Sequence, residues 1–144
     1  MSRAGDIGDA VVTAIDALAL SGVPAAVRLK TPSLPQGVDP PQVVVTCNKT
    51  PRTEFLTADS YLDTYDCAVT VYGANDAALA DDDTFRANAQ AIAAALKRWQ
   101  AFAGVPYFND ANVTAEEIFP RDLLDKTLNR AVISFTVEIK EPRS

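Results

Sequence analysis

Asp66-Cys67-Ala68-Val69-Thr70-Val71-Tyr72 is the stretch whose reading decides the fold class. Successive side chains of an extended chain point to opposite faces, so Tyr65, Cys67, Val69 and Val71 fall on one side and Asp66, Ala68 and Thr70 on the other. One face of a strand is therefore core. The strand leads through an acidic stretch into residues 84–99, where Phe85, Ala89, Ile92, Leu96 and Trp99 recur at helical spacing. Asp81, Asp82 and Asp83 stand at the positive end of that helix's dipole, with Lys97 and Arg98 at the negative end. A strand feeding an amphipathic helix is a building block and carries no chemistry of its own.

The same two-residue period closes the chain. Ala131, Ile133, Phe135, Val137 and Ile139 alternate with Val132, Ser134, Thr136, Glu138 and Lys140, which predicts a well-paired strand. Before it, Gly104 and Pro106 break the pattern, a weaker strand is placed at 113–119, Pro120 stops it, and 121–129 reads as a turn. Near the N-terminus, Ile7, Val11, Ala14, Ile15 and Leu18 share one face of a helix over 6–20, which Gly22 and Pro24 end. At 25–31, Val27 and Leu29 alternate with Ala26, Arg28 and Lys30 as in a half-buried strand near a sheet edge. Pro32, Pro35, Gly37, Pro40 and Pro41 impose an extended connection, and a further strand is expected at 42–48. Residues 50–60, with Pro51 and no sustained period, read as a loop or a long hairpin arm.

These elements predict an α+β fold: a single domain over residues 1–144, built as a mainly antiparallel β-sheet with two amphipathic helices packed on one face. The other face must be solvated, covered by loops or buried by a neighbouring subunit. Val44 and Val132, on that face, keep the last option open. The 144 residues are enough for one core, and 48% apolar with 22% charged residues in periodic segments argue against disorder. A net charge of −6 disfavours an electrostatic grip on nucleic acid.

Catalytic chemistry finds little support. The chain has no histidine, the commonest general base and metal ligand near neutral pH. Neither Ser60 nor Cys67 sits in a nucleophile elbow. The Asp81-Asp82-Asp83 run lacks the glycine and terminal glutamate of a calcium loop and is better explained by the helix dipole. Asp59, Asp63 and Asp66 read as solvated charges rather than a paired-carboxylate site. Gly5 and Gly8 follow no strand and precede no phosphate-loop lysine, so they read as N-terminal fraying. Cys47 and Cys67 read as small, reduced core side chains, since no CxxC spacing accompanies them. No metal and no cofactor are expected. The start has no signal-peptide pattern, and the longest apolar runs are too short for a bilayer.

Charge is distributed unevenly. From Thr53 to Phe85 there is no Lys or Arg, while Glu54, Asp59, Asp63, Asp66, Asp76, Asp81, Asp82 and Asp83 accumulate; basic residues such as Arg121, Lys126 and Arg130 lie elsewhere. Either this is a solvated acidic surface, or it makes head-to-tail neighbours complementary.

The order of elements resembles the tail terminator (minor tail protein U-like, tail completion) family of long-tailed bacteriophages. The resemblance covers most of the chain and rests on the N-terminal helix, the strand at 42–48, the loop before the strand at 65–72, the helix at 84–99 and the closing Ile133-Ser-Phe-Thr-Val-Glu-Ile139 strand. It implies a structural virion protein at the head-proximal end of the tail: a homo-oligomeric ring, usually a hexamer, that caps the tail tube, ends its polymerisation and offers the surface for a head-completion protein. DNA would pass through the lumen without specific binding, and neither a catalytic role nor a membrane is implied. On this reading Lys49, Thr50, Arg52, Glu54, Phe55 and Leu56, in a protruding loop over 49–60, are the candidate contact with the tail tube protein. Asp66, Asp76, Asp81, Asp82, Arg121, Lys126 and Arg130 are the candidate subunit-interface charges. Another neck or head-completion protein fits the same pattern, and a small α+β hydrolase or ligand-binding protein would show a deep pocket with convergent polar groups.

Overall fold

The computed structural model describes residues 3–20, 26–29, 42–47, 52–55, 60–73, 79–119 and 130–142. Its elements are α1 (Arg3–Ala17), β1 (Val27–Arg28), β2 (Gln42–Thr46), β3 (Arg52–Phe55), β4 (Ser60–Tyr72), α2 (Leu79–Leu96), a 3₁₀ turn (Trp99–Phe102), β5 (Phe108–Phe119) and β6 (Arg130–Pro142). They form an α+β fold with one six-stranded sheet in the order β1-β2-β4-β6-β5, and β3 pairs with β4 beside that path.

The two alternating stretches are the middle of the sheet. β4 and β6 pair antiparallel without a break from Ser60↔Pro142 to Tyr72↔Arg130. Because the side-chain period is two, this register puts Tyr65, Cys67, Val69 and Val71 beside Val137, Phe135, Ile133 and Ala131 on one face, and all are buried. Ile7, Val11 and Ile15 of α1 and Phe85, Ala89, Ile92 and Leu96 of α2 close over that face in a single apolar cluster. Burying such side chains is worth roughly 1.5–3 kcal/mol each, so this layer is the main source of stability.

α1 begins and ends three residues earlier than its period suggests. Leu18 N–H bonds to Ile15 O and Ala19 N–H to Asp16 O, and Ala19 takes a left-handed φ of 50°, so the helix is over before Gly22 and Pro24. Leu18, expected on the buried face, is therefore 37% exposed.

β1 is the exception to the antiparallel pairing and to the expected facing. It pairs parallel with β2, Val27↔Val44 and Arg28↔Val45, within a sheet that is otherwise antiparallel and was expected to be mainly so. Residues 29–41 are long enough for the return that a parallel pair requires. Its faces are also reversed: Ala26 is buried in the core and Arg28 reaches α1, while Val27 lies half-buried on the opposite side. Arg28 Nη1 donates to Gly5 O at 2.9 Å and to Asp9 Oδ1 at 3.0 Å. Gly8 allows this. A Cβ there would lie 2.4 Å from Arg28 Cδ, so Gly8 is a close-approach position and not a frayed end. Asp16 Oδ1 accepts from Ala26 N–H at 2.9 Å, joining α1 to the start of β1.

β2 is dry on both faces. Val43 and Val45 belong to the core cluster, and Val44, on the other face, has 0% exposure within the single chain, as does its neighbour Thr70. A neighbouring subunit is thus not needed to cover Val44, although Val132 remains half-buried. The expectation of two reduced cysteines is also corrected. Cys47 and Cys67 are both in the core, as expected, but are joined as a disulfide with Cα atoms 4.5 Å apart. The strand register after Thr46↔Ala68 brings them face to face, which spacing along the chain does not reveal.

α2 starts earlier than expected, so Asp81, Asp82 and Asp83 lie within its first turns, and it ends at Leu96. Trp99 therefore stands outside the helix, at the start of the 3₁₀ turn. That turn buries Phe102, stacked on Phe108 at 5.3 Å and tilted against Phe135 at 6.3 Å. β5 is longer than the predicted 113–119 because two register shifts, at Phe108/Asp110 and Val113/Ala115, break its alternation without ending the pairing.

Candidate assembly surfaces

The proposed loop at 49–60 contains β3, so the hairpin-arm reading describes it better than an open loop. Arg52, Glu54 and Phe55 pair along β4 opposite Thr64, Leu62 and Tyr61. Lys49, Thr50 and Leu56 lie outside the described residues. Its described residues pair with the N-terminal half of β4, beyond the rungs that β4 shares with β2.

The candidate interface charges do not form one cluster among the described residues. Asp66, opposite Thr136, and Arg130, opposite Tyr72, share the sheet face that points away from the helices. Six rungs separate them, about 20 Å of strand. Asp81 and Asp82 are in the first turns of α2, on the helical side of the sheet. Asp76, Arg121 and Lys126 lie outside the described residues.

The register reveals a surface that pattern-reading assembled only in part. Moving from the Val44–Thr70 row along β4 and β6, the face away from the helices changes from dry to wet: Thr64, Asp66, Ser134, Thr136 and Glu138 are half-buried, and Asp110 and Asn112 of β5 are exposed beside them. Asn109 Nδ2 donates to Glu138 Oε2 at 3.1 Å, and Thr114 Oγ1 to Ser134 O at 3.2 Å. The alternation of residues 131–140 identified the β6 part of this polar face. The bulges of β5 hid Asp110 and Asn112.

At the dry end, burial raises the Tyr72 phenol above its usual value of 10.0, while the Arg130 guanidinium partly counteracts that shift. The Thr70 hydroxyl is buried and has no hydrogen-bond partner among the described residues.

Two concavities lined by described residues flank the helices. A groove of about 460 Å³ between α1 and the 3₁₀ turn is lined by Asp6, Asp9, Thr13, Ala14, Gln100 and Ala101, among others. A smaller one of about 150 Å³, between α2, β5 and β6, has Ala89, Ala93 and Ile133 at its base and Glu116 and Glu117 beside them. Glu116 is 3.5 Å from Lys97 across an exposed ion pair, an arrangement worth little. Among the described residues, no group of three or more Cys, Asp or Glu side chains is placed to hold a metal ion. No described helix is long and apolar enough to cross a membrane.

No family model and no curated protein matches the chain. Among solved structures, a chain of the "Virion of native gene transfer agent (GTA) particle" shares the fold, with a TM-score of 0.61 over 97% of this chain and 98% of that chain. The two are 19% identical, so the likeness is one of fold.

Proposed function

We propose that this chain is a structural protein of a phage-like virion, and that within the particle it acts as a tail terminator. The observation that carries the reading is the end-to-end fold likeness to a virion chain, which spans 97% of this chain and 98% of the other. The work of such a protein is assembly rather than catalysis. Copies join into a ring, of six by the family resemblance; one rim meets the last ring of the tail tube and stops its growth, and the other receives the head-completion protein. DNA passes through the lumen without being held, in keeping with a net charge of −6.

The β3–β4 arm is the proposed tube contact, because it extends the sheet beyond β2 and is held by only four rungs. Binding segments are commonly loops and arms on a rigid scaffold. Native mass spectrometry and negative-stain microscopy of the purified chain test the first step. A six-fold ring supports a terminator, a twelve-fold ring moves the protein to the head-proximal connector, and a monomer at all concentrations with no affinity for tail tubes removes the virion reading. The second step is tested with particles whose residues 49–60 are shortened. Irregular tails or separated heads and tails are expected while circular dichroism still shows a folded subunit; normal tails place the tube contact elsewhere.

A further inference from the structure

The only two cysteines of the chain face each other in its core. Cys47 follows β2 directly, Cys67 is in β4, and their Cα separation of 4.5 Å is that of directly opposed residues in a non-hydrogen-bonded antiparallel pair. It also lies inside the range that a disulfide spans without backbone movement. Both are buried, 2% and 7% exposed, among Val45, Val69 and Phe135. Two thiols at these positions are small apolar core groups, so the reduced chain satisfies the same packing. The bond joins the five-rung β2 to the thirteen-rung β4–β6 ladder, and β2 is the strand on which β1 and its link to α1 depend.

We infer that Cys47 and Cys67 are a redox-operated staple, open when the chain folds in a reducing compartment and closed on oxidation, which fixes the β2 margin to the centre of the sheet. The inference stands apart from the terminator reading, since it needs only these two strands. The chemistry is thiol–disulfide exchange with a low-molecular-weight disulfide such as oxidised glutathione. One cysteine thiolate, having lost its proton, attacks the glutathione disulfide and releases one glutathione thiolate. The second cysteine, also deprotonated, attacks the mixed disulfide and releases the other. One protein S–S bond forms, one glutathione S–S bond is broken, two electrons pass to glutathione, and the two protons end on the glutathione thiols. Burial makes both sulfurs inert in the closed fold, so exchange proceeds through opening of the β2 margin and is accelerated by mild urea.

The full-length chain, purified in reductant, is incubated in glutathione buffers of graded redox poise, then denatured, alkylated and weighed. The expected result is a monomer that loses both alkylatable thiols together, with a thermal midpoint higher than that of the reduced chain by roughly 10 °C, the shift for a loop of this length in a domain of this size. Cys47→Ala/Cys67→Ala should melt near the reduced chain and ignore the buffer. Should that variant fail to fold, the reduced and oxidised wild-type melts decide the matter. Thiols that stay alkylatable at every poise, disulfide-linked dimers on a non-reducing gel, or equal midpoints for the two wild-type forms would each overturn the inference.

Discussion

The centre of the sheet and its β1 margin are held by different physics. At the centre, β4 and β6 share an unbroken ladder of thirteen rungs whose inner face is apolar from Tyr65 to Val71 and from Ala131 to Ile139. At the margin, β1 offers two rungs, and the joint to α1 depends on named atoms: Arg28 on Gly5 and Asp9, Asp16 on the Ala26 amide, and a glycine that lets Arg28 lie against the helix. Repetition makes the centre tolerant of local error, because neighbouring rungs share the load. The margin has few contacts, so each of them matters, and it is where opening under native conditions is expected first.

The largest effect should come from emptying the centre. Phe135→Ala removes a buried ring that packs against Phe102, and a loss of about 3–5 kcal/mol in urea unfolding is expected. Phe85→Ala, on the helix that covers the same face, falls in that range as well. The next residue along, Thr136→Ala, sits on the wet face and should change stability by no more than about 0.5 kcal/mol. Comparable losses at 135 and 136 would mean that the two faces of β6 are not differently buried, and the comparison would fail at its root.

The same division separates what was legible in the sequence from what was not. Alternation in residues 65–71 and 131–139 located the two central strands and their buried sides, because a period of two repeated over many residues records one-sided burial. The period of 3.6 did the same for Phe85, Ala89, Ile92 and Leu96. β1 is too short for any period to establish its facing, so the side of Ala26 and Arg28 was read backwards. Its parallel pairing depends on where a long connection returns, which local pattern does not encode. Gly8 looked idle because its reason for being glycine lies twenty residues away in Arg28. The Cys47–Cys67 bond was hidden likewise, since only the register of β2 on β4 brings the sulfurs together. Bulges in β5 concealed Asp110 and Asn112 of the polar sheet face, and the period that put Asp66 on that face could not say which other charges lie near it.

At the margin, a double-mutant cycle tests whether the joint is as specific as described. Gly8→Ala should gain up to about 1 kcal/mol from helix propensity, yet its methyl group would displace Arg28 and cost the bonds to Gly5 and Asp9, for a net loss of about 1 kcal/mol. In an Arg28→Ala background the same change should stabilise by about 1 kcal/mol, because only the propensity gain remains. A change of sign between backgrounds is the signature sought in denaturant melts. The same effect of Gly8→Ala in both would show that Arg28 and Gly8 are independent. Back at the centre, Thr70→Val removes a buried hydroxyl that has no hydrogen-bond partner among the described residues and should raise stability by about 1 kcal/mol, whereas Thr64→Val on the wet stretch of the same strand should be close to neutral. Destabilisation by Thr70→Val would mean that the hydroxyl has a partner in solution.

The smallest expected effect is also at the dry end of the ladder, and it is a slope. The Tyr72 phenol ionises at higher pH in the folded chain than in the unfolded one, because burial penalises the phenolate more than Arg130 favours it. Below the ordinary phenol range both states keep the proton, and stability does not depend on this group. As pH rises through about 10, the unfolded chain releases the proton first while the folded chain retains it, so the contribution is lost as pH climbs toward and past the folded value. Other tyrosines and lysines titrate in the same window, and the wild-type slope alone is therefore uninformative. The difference between wild type and Tyr72→Phe isolates the group: unfolding free energies measured between about pH 9 and pH 11 should fall less steeply in the variant. Parallel curves would show that Tyr72 is solvated in the folded chain, and the dry end of the sheet would then be shorter by one row.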